Sequence, residues 1–271
     1  MQATNWVLQV SVMTWKILGP AKQYKQSSEG KDEAEMQLKA VLFDLDGTLL
    51  PMNQDKFTNG YLGLLAKKLS PLGYSSKELV DAIWSGTAEM VKNDGSASNE
   101  TVFWRKFTDT LGERALRDKP VIEEFFQCEF DNAKVFCGYD AKAAKAVQDV
   151  KSMGLRIALA SNPLFPMTAM EIRIRWAGLE PEDFELVTAF ESIGVSKPNP
   201  MYYSEIARRL RLAPEECLMV GNDVEEDMAA RDCGMDVFLL TNDLINRKRR
   251  NISVYPRGSF QSLCEYIRDM K

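Results

Sequence analysis

No histidine occurs among the 271 residues of this chain. Catalysis of the Ser-His-Asp and Cys-His types needs an imidazole as general base, so it is excluded together with every histidine-ligated metal site. Any acid–base work therefore falls to carboxylates and lysines. Cysteine is also scarce and unpatterned. The five cysteines contain no C-x-x-C pair and are odd in number, which predicts reduced thiols in a cytoplasmic protein rather than a zinc site or a disulfide framework.

Long hydrophobic runs and an excess of positive charge are missing as well. The mostly apolar stretch 6–18 is too short to cross a bilayer, and no basic residue precedes it as a secretory signal requires. The net charge of −5 argues against nucleic acid or an anionic membrane as the main partner. In such an acidic chain, the basic run Arg247-Lys248-Arg249-Arg250 is interpreted as a solvated loop.

The rest of the chain is organised around the stretch that begins at residue 40. Residues 40–43 are continuously apolar without a helical period, which predicts a strand buried on both faces of a parallel sheet. Asp44 and Asp46 follow directly, and alternation along an extended chain points them to the same side. Gly47 lets the chain turn and lets a ligand approach the backbone. Two anions this close need a cation between them or a bound proton.

From residue 140 onward, predicted helices and strands alternate. The predicted strands are 155–160, 186–190, 217–220 and 237–240, and the predicted helices are 140–153, 166–178, 200–212, 224–233 and 259–270. This order predicts an α/β fold with a doubly wound parallel sheet, whose ligands gather at the carboxyl ends of the strands. The polar residues expected to meet there are Asp44, Asp46, Ser161, Asn162, Asn222 and Asp223, with Lys197 from a connecting loop.

Two other segments lack this alternation. Residues 1–35 lack the patterning needed to join the sheet and are expected to be a disordered or dispensable extension. Met36 looks like a natural start, so an upstream-start artefact or a separate anchor both stay open. Residues 52–134 carry only helical patterns, with a capping box at Ser75 and Glu78, and are predicted to be a small helical domain. The α/β core then comprises residues 36–51 and 135–271.

The string Asp44-Leu45-Asp46-Gly47-Thr48-Leu49 resembles the first motif of the haloacid dehalogenase superfamily of phosphotransferases. The later motifs of that superfamily are a strand ending in Ser or Thr, a lysine, and a strand ending in an acidic cluster. Ser161, Lys197 and residues 221–227 match them in that order. The resemblance implies a Rossmann-like core, and it identifies the helical insertion as the cap found in one branch of the superfamily.

The resemblance also implies a role for each matched residue. Asp44 would attack phosphorus to give an aspartyl-phosphate, and Asp46 would protonate the leaving oxygen and later activate water. Lys197 would hold the charge that develops on the phosphoryl group. Phosphate oxygens would be bound by Thr48, Ser161 and Asn162. Insertion residues that could contact the leaving group are Asn53, Lys56, Asn99, Arg105 and Lys106.

Magnesium is the implied cofactor, because an anionic nucleophile approaches an anionic phosphoryl group only when cations neutralise both. The implied ligands are Asp44, the main-chain carbonyl of Asp46 and an acid from the fourth motif. That motif departs from the usual pattern, since Asn222 stands directly after its glycine and Asp223 follows one place later. Asp223 is the preferred ligand, with Asp227 holding a metal-bound water. Asn222, through its amide oxygen, is the alternative.

Asp46 argues for phosphate chemistry, since the branch that cleaves carbon–halogen bonds lacks this second aspartate. The leading hypothesis is a cytoplasmic, magnesium-dependent phosphatase of a small phosphorylated metabolite. A sugar phosphomutase of the same superfamily is the alternative, followed by a non-catalytic metabolite-binding protein. We expect no nucleic-acid partner, no membrane partner unless residues 1–35 provide one, and a monomer or homodimer.

Overall fold

A six-stranded parallel sheet forms the centre of the structure. The computed structural model describes residues 37–270. The strands are β1 (Ala40–Phe43), β2 (Arg156–Leu159), β3 (Leu186–Val187), β4 (Cys217–Gly221), β5 (Asp236–Leu240) and β6 (Arg257–Gly258). They lie in the order β3-β2-β1-β4-β5-β6, and every neighbouring pair is parallel. Because Phe43 pairs with both Leu159 and Val220, the ends of β1, β2 and β4 are in register.

Helices cover both faces of this sheet. The α-helices are α1 (Gln54–Leu69), α2 (Ser76–Lys92), α3 (Asn99–Leu111), α4 (Arg114–Cys128), α5 (Ala141–Ser152), α6 (Met167–Trp176), α7 (Pro200–Leu210) and α8 (Phe260–Asp269). Short 3-10 helices are Ser70–Leu72, Phe130–Phe136, Pro181–Asp183, Pro214–Glu216 and Asp227–Cys233. Val41 and Phe43 pack in one cluster with α5, α6 and α8, whereas Ala40 and Leu42 pack in another with α7. The predicted strand buried on both faces, and the doubly wound parallel fold, are confirmed.

Two predicted elements differ from the observed ones, and one observed strand was not predicted. The predicted helix 224–233 is a 3-10 helix that begins at Asp227, because the carboxylate of Asp223 accepts the main-chain N–H groups of Glu225 and Glu226 and holds a turn there. The predicted strand 186–190 shortens to two residues. β6 was not predicted, because an Arg-Gly pair has no strand propensity and is held only by pairing with β5.

Between β1 and α5, the structure describes helices and no strand. The predicted capping box is present, since Ser75 and Glu78 each accept the other's main-chain N–H. The insertion shares one hydrophobic cluster with the core. Within this cluster the ring of Phe130, from the insertion, stacks on the ring of Trp176, from the core, with 5.3 Å between their centroids. The domain limits 36–51 with 135–271, and 52–134, stay a prediction.

The two chain segments that connect the insertion to the core are joined to each other. Met52 and Cys137 form an antiparallel bridge, and the N–H of Gly138 donates to the carbonyl of Pro51 at 2.7 Å. The insertion is therefore attached through a short paired double strand rather than through two independent linkers.

None of the helices within residues 37–270 combines the length and the apolar character that crossing a bilayer requires. The expectations for residues 1–35, including Met36 as a start, lie outside the described residues.

Candidate active site

The predicted nucleophile and acid lie in a tight loop after β1. The N–H of Asp44 donates to the carbonyl of Val220 at 2.9 Å, which extends the pairing of β1 with β4 by one residue. Gly47 adopts a φ of +78°, and a Cβ there would lie 2.4 Å from Nδ2 of Asn222. Glycine is thus required at position 47 by the backbone conformation and by the close approach of Asn222.

Lys197 lies between two carboxylates. Its Nζ is 2.8 Å from Oδ1 of Asp44 and 2.6 Å from Oδ1 of Asp227, and all three residues are buried. Burial alone would lower the pKa of Lys197, but the attraction of Asp227 and Asp44 outweighs it and raises this pKa well above its ordinary value. A permanent positive charge is therefore held against the predicted nucleophile.

Four hydrogen-bond donors close to this charge have no acceptor within residues 37–270. They are the main-chain N–H groups of Leu45, Asp46 and Asn162 and the hydroxyl of Ser161. The carbonyl of Ser161 is fixed by the hydroxyls of Tyr202 (2.7 Å) and Thr188 (2.6 Å). Donors left free at the end of a buried strand favour an anion. Ser161 and Asn162 were predicted, whereas the amides of Leu45 and Asp46 were not, although the turn at Gly47 is a sequence signal for them.

The side chain of Asn162 ties this loop to its neighbours. Its Oδ1 accepts the N–H of Lys197, and its Nδ2 donates to Glu226, each at 3.3 Å. Burial raises the pKa of Glu226 to about 8. The main-chain N–H of Asn162, rather than its amide group, is therefore the free donor.

The three candidates of the fourth motif take different positions. Oδ1 of Asn222 accepts the hydroxyl of Thr48 at 3.0 Å, which places Asn222 against the loop after β1. Both carboxylate oxygens of Asp223 are already used, Oδ1 by two main-chain N–H groups and Oδ2 by Arg247 at 2.6 Å. Asp227 holds Lys197 and also accepts the N–H of Asp223 at 2.9 Å.

Arg247 belongs to the basic run interpreted as a solvated loop, and it is exposed in a loop there, but it also makes specific contacts. Besides its ion pair with Asp223, its Nη2 donates to Gln54 at the start of α1 at 2.9 Å. The arginine thus links the fourth motif to the insertion. Its long side chain reaches an acidic partner distant in sequence, which a local charge pattern does not indicate.

Arg173 on α6 is a neighbour of Asp46 that sequence reasoning missed. It is fully buried, forms an ion pair with Asp46, and lies 4.6 Å from the ring centroid of Phe165. Burial lowers its pKa to about 9, so it remains a cation at neutral pH. The available signal was an isolated arginine between Met170 and Ile174 on the apolar face of a predicted helix.

Asn99 joins the insertion to the core instead of contacting a leaving group. Its Nδ2 donates to the carbonyl of Pro163 (3.0 Å) and to Oγ of Ser196 (3.1 Å), and its Oδ1 accepts Nδ2 of Asn93 (2.9 Å). All its side-chain atoms are thereby engaged, which excludes the predicted contact. Asn53 likewise caps α1 by accepting the N–H of Lys56 at 2.9 Å.

Known proteins resemble this chain in sequence and in fold. A family model of haloacid dehalogenase-like hydrolases matches residues 38–234. Glyceraldehyde 3-phosphate phosphatase of Methanothermobacter thermautotrophicus is 29% identical over 220 residues, covering 79% of this chain and 91% of that protein. Phosphoglycolate phosphatase of Nitrosospira multiformis is 25% identical over 206 residues, covering 75% of this chain and 83% of that protein.

Solved structures agree on the fold. A HAD phosphatase from Thermococcus onnurineus superposes with a TM-score of 0.53 at 21% identity, covering 85% of this chain and 98% of that one. A 2-haloacid dehalogenase from Pseudomonas syringae gives a TM-score of 0.58 at 17% identity, covering 87% and 100%. Since the family model spans well over half of the 271 residues, the resemblance indicated by the first motif is confirmed, and the chain is a phosphatase-like member of the haloacid dehalogenase-like hydrolase family.

Proposed function

We propose that this chain hydrolyses phosphate monoesters of small metabolites, with Asp44 as the nucleophile. The observation that carries the proposal is the buried ammonium of Lys197 held 2.8 Å from Asp44, next to four donors that lack an acceptor within residues 37–270. This is a site for an anion beside a carboxylate, in an overall acidic protein. The relatives named above are phosphatases, which supports the same assignment.

Substrate binding follows from the free donors. The N–H groups of Leu45, Asp46 and Asn162 and the hydroxyl of Ser161 would hold the phosphoryl oxygens. Lys197 would balance the charge that develops on them, as buried donors and cations do when they are placed before the reaction begins. Thr48 does not join this set, because its hydroxyl is donated to Asn222. Its contribution is to orient that residue.

Magnesium fits the oxygen atoms that remain available. Oδ2 of Asp44 and the carbonyl of Asp46 accept no hydrogen bond within residues 37–270, and Oδ1 of Asn222 accepts only one. Within the same residues, no three acidic or cysteine side chains form a ready metal cluster. One carboxylate plus neutral oxygens nevertheless suits Mg²⁺, which keeps several waters. We therefore propose Asp44, the Asp46 carbonyl and Asn222 as ligands, and Asp227 as the partner of Lys197.

When bound, Mg²⁺ would neutralise charge on the phosphoryl group and on the nucleophile. An oxygen of Asp44 attacks phosphorus while the bond to the ester oxygen breaks, and Asp46 gives that oxygen a proton. In the second step Asp46 takes a proton from water, which attacks the aspartyl-phosphate and releases inorganic phosphate. The ion pair with Arg173 holds the carboxylate of Asp46 in place.

The decisive experiment compares Asp44→Asn with Asp46→Asn. We expect Asp44→Asn to lose both phosphate release and capture of beryllofluoride, because no carboxylate oxygen remains at this position to bond to phosphorus or to beryllium. Asp46→Asn should still capture beryllofluoride while turnover falls by about 10²–10⁴, the usual contribution of general acid–base catalysis. That loss should be smaller for a nitrophenyl ester than for an alkyl ester, since nitrophenolate leaves without a proton. An active Asp44→Asn enzyme, or full turnover in excess chelator, would refute the proposal.

We further propose a cytoplasmic location. All five cysteines are free thiols, and Cys217 and Cys264 are buried. Burial raises the pKa of Cys217 to about 12, so this thiol is unreactive. Free thiols of this kind are typical of a reducing compartment. Fractionation of cells that express the full chain would test this, and recovery with the membrane fraction would contradict it.

A further inference from the structure

A cavity of about 240 Å³ lies between the helical insertion and the core. Aromatic residues of the insertion form much of its wall, and the loop after β2 contributes to its core side. The wall includes Tyr61, Phe103, Trp104, Phe107, Leu164 and Phe165. A dry apolar cavity of about 150 Å³ accommodates benzene, so this one is large enough for a fused or substituted ring.

The cavity begins next to the phosphate-binding groups. Leu164 is two residues beyond Asn162, and two residues span at most about 7 Å. The ring of Phe165 lies against Arg173, which pairs with Asp46, the proposed donor to the leaving oxygen. A phosphate ester held at Asp44 therefore has its leaving group within reach of this cavity.

The charged residues of the wall are all acidic. Glu100, Glu123 and Glu191 line the cavity, and none of its described lining residues is a lysine or an arginine. Lys119 pairs with Glu100 (3.0 Å) and Glu123 (3.6 Å), and its Nζ lies 5.0 Å from the ring centroid of Trp104, so it offsets one of these three charges and leaves the wall with a net negative charge. A leaving group that carries a carboxylate or a second phosphate would meet like charges there.

One buried donor in the wall lacks a partner. Nε1 of Trp104 is excluded from water and has no acceptor within residues 37–270, although Trp104 is 8% exposed as a whole. Buried polar groups normally find a partner, in the protein, in water or in a ligand. Because this atom is closed to water, Trp104 lines the cavity with its ring carbons and not with its N–H.

We infer that the preferred substrates are phosphate monoesters whose leaving group is an uncharged planar ring, which lies in the cavity against the aromatic residues of the wall. This inference rests on the proposed function. It separates this chain from its relative named for phosphoglycolate, a substrate that carries a carboxylate and has no ring.

Three phosphate esters of fused aromatic rings test the chemistry. Phosphate release by the full chain with Mg²⁺ is measured for 2-naphthyl, 6-quinolinyl and 6-carboxy-2-naphthyl phosphate, with 2-phosphoglycolate beside them, and kcat/KM is corrected for leaving-group acidity. We expect the neutral rings to exceed the carboxylated ring and phosphoglycolate by about tenfold or more, as expected for a pocket that discriminates by apolar contact and charge.

A pair of threonine variants tests the cavity itself. Thr87 lines the cavity, and Thr110 is exposed and does not, yet each donates its hydroxyl to the carbonyl four residues earlier in a helix. Thr87→Leu should raise KM for the ring esters and leave phosphoglycolate unchanged, whereas Thr110→Leu should change neither.

Failure of the substrate preference and failure of the phosphatase activity give different results. Efficient hydrolysis of phosphoglycolate or of the carboxylated ring in preference to the neutral rings would overturn this inference and leave the phosphatase in place. Equal effects of Thr87→Leu on all esters would also overturn it. No phosphate release from any ester by the magnesium-loaded wild-type chain would overturn both the inference and the proposed function.

Discussion

Replacing Lys197 by methionine should destabilise the fold as well as abolish activity. Methionine keeps an unbranched apolar stem but removes the ammonium, and so leaves the carboxylates of Asp44 and Asp227 without their shared counter-charge. Lys197 is 2% exposed and Asp227 is 1% exposed, so water cannot take over this role. Removing one partner of a buried ion pair typically costs about 3–5 kcal/mol, because the remaining charge is left uncompensated.

Urea unfolding, followed by tryptophan fluorescence and circular dichroism, measures this loss as a change in the free energy of unfolding. For a chain of this size each kcal/mol corresponds to a few degrees, so the melting temperature should fall by roughly 6–20 °C. Lys77→Met is the matched control. Its ammonium also pairs with an aspartate, Asp81 at 2.5 Å, but its side chain is 87% exposed. Such a surface pair contributes little, so this variant should unfold as the wild type does.

A second substitution separates the charge from the shape of the side chain. Asp227→Asn in the Lys197→Met background removes one of the two uncompensated anions, so the double variant should lose less stability than the two single losses added together. If Lys197→Met unfolds within about 1 kcal/mol of the wild type, a change ordinary for a surface substitution, the ammonium is not what permits these carboxylates to be buried. Strict additivity of the two stability losses in the double variant would lead to the same conclusion.

Three other changes test separate parts of the structure. Asn99→Ala leaves the carbonyl of Pro163 without a donor and should lower the free energy of unfolding in urea by about 1–3 kcal/mol, and an unchanged value would show that this contact between insertion and core is dispensable. Hydrogen bonds from two arginines lower the pKa of Glu205 to about 2, so its stabilisation exists above its ordinary pKa of 4.5 and is lost as the pH falls toward 2. The melting-temperature difference between wild type and Glu205→Gln should therefore vanish over that interval, and a constant difference would contradict the shift. Asn222→Ala should weaken magnesium binding in a direct titration more than Asp223→Asn, and the reverse order would return the ligand to Asp223.

Much of the site follows from the pattern of strands. Asp44, Ser161 and Asn222 each stand at the end of an apolar run, and parallel strands in register bring such positions to one edge. The period of the sequence therefore predicts which loops meet. The position of Lys197 near Asp44 was predicted only from the order of the motifs.

The long side chains that complete the site were beyond sequence reasoning. Arg173 and Arg247 reach Asp46 and Asp223 across the fold, and Asn99 reaches the loop after β2. These contacts depend on how the insertion and α6 pack on the sheet, and the hydrophobic periodicity of a single helix or strand does not predict that packing. The residues next to Asp223 in the sequence likewise do not show that its carboxylate oxygens already accept hydrogen bonds, because one of the donors is an arginine from a loop 24 residues away.

The shortness of the outermost strands has a consequence for association between chains. β3 and β6 lie at the two edges of the sheet and contain two residues each. An exposed edge strand is a template for pairing with another molecule, and a short or charged edge limits this hazard. The exposed Arg257 adds a charge to the β6 edge. We therefore expect the folded protein to resist aggregation by strand addition, with β1 and its two aspartates shielded by at least two strands on either side.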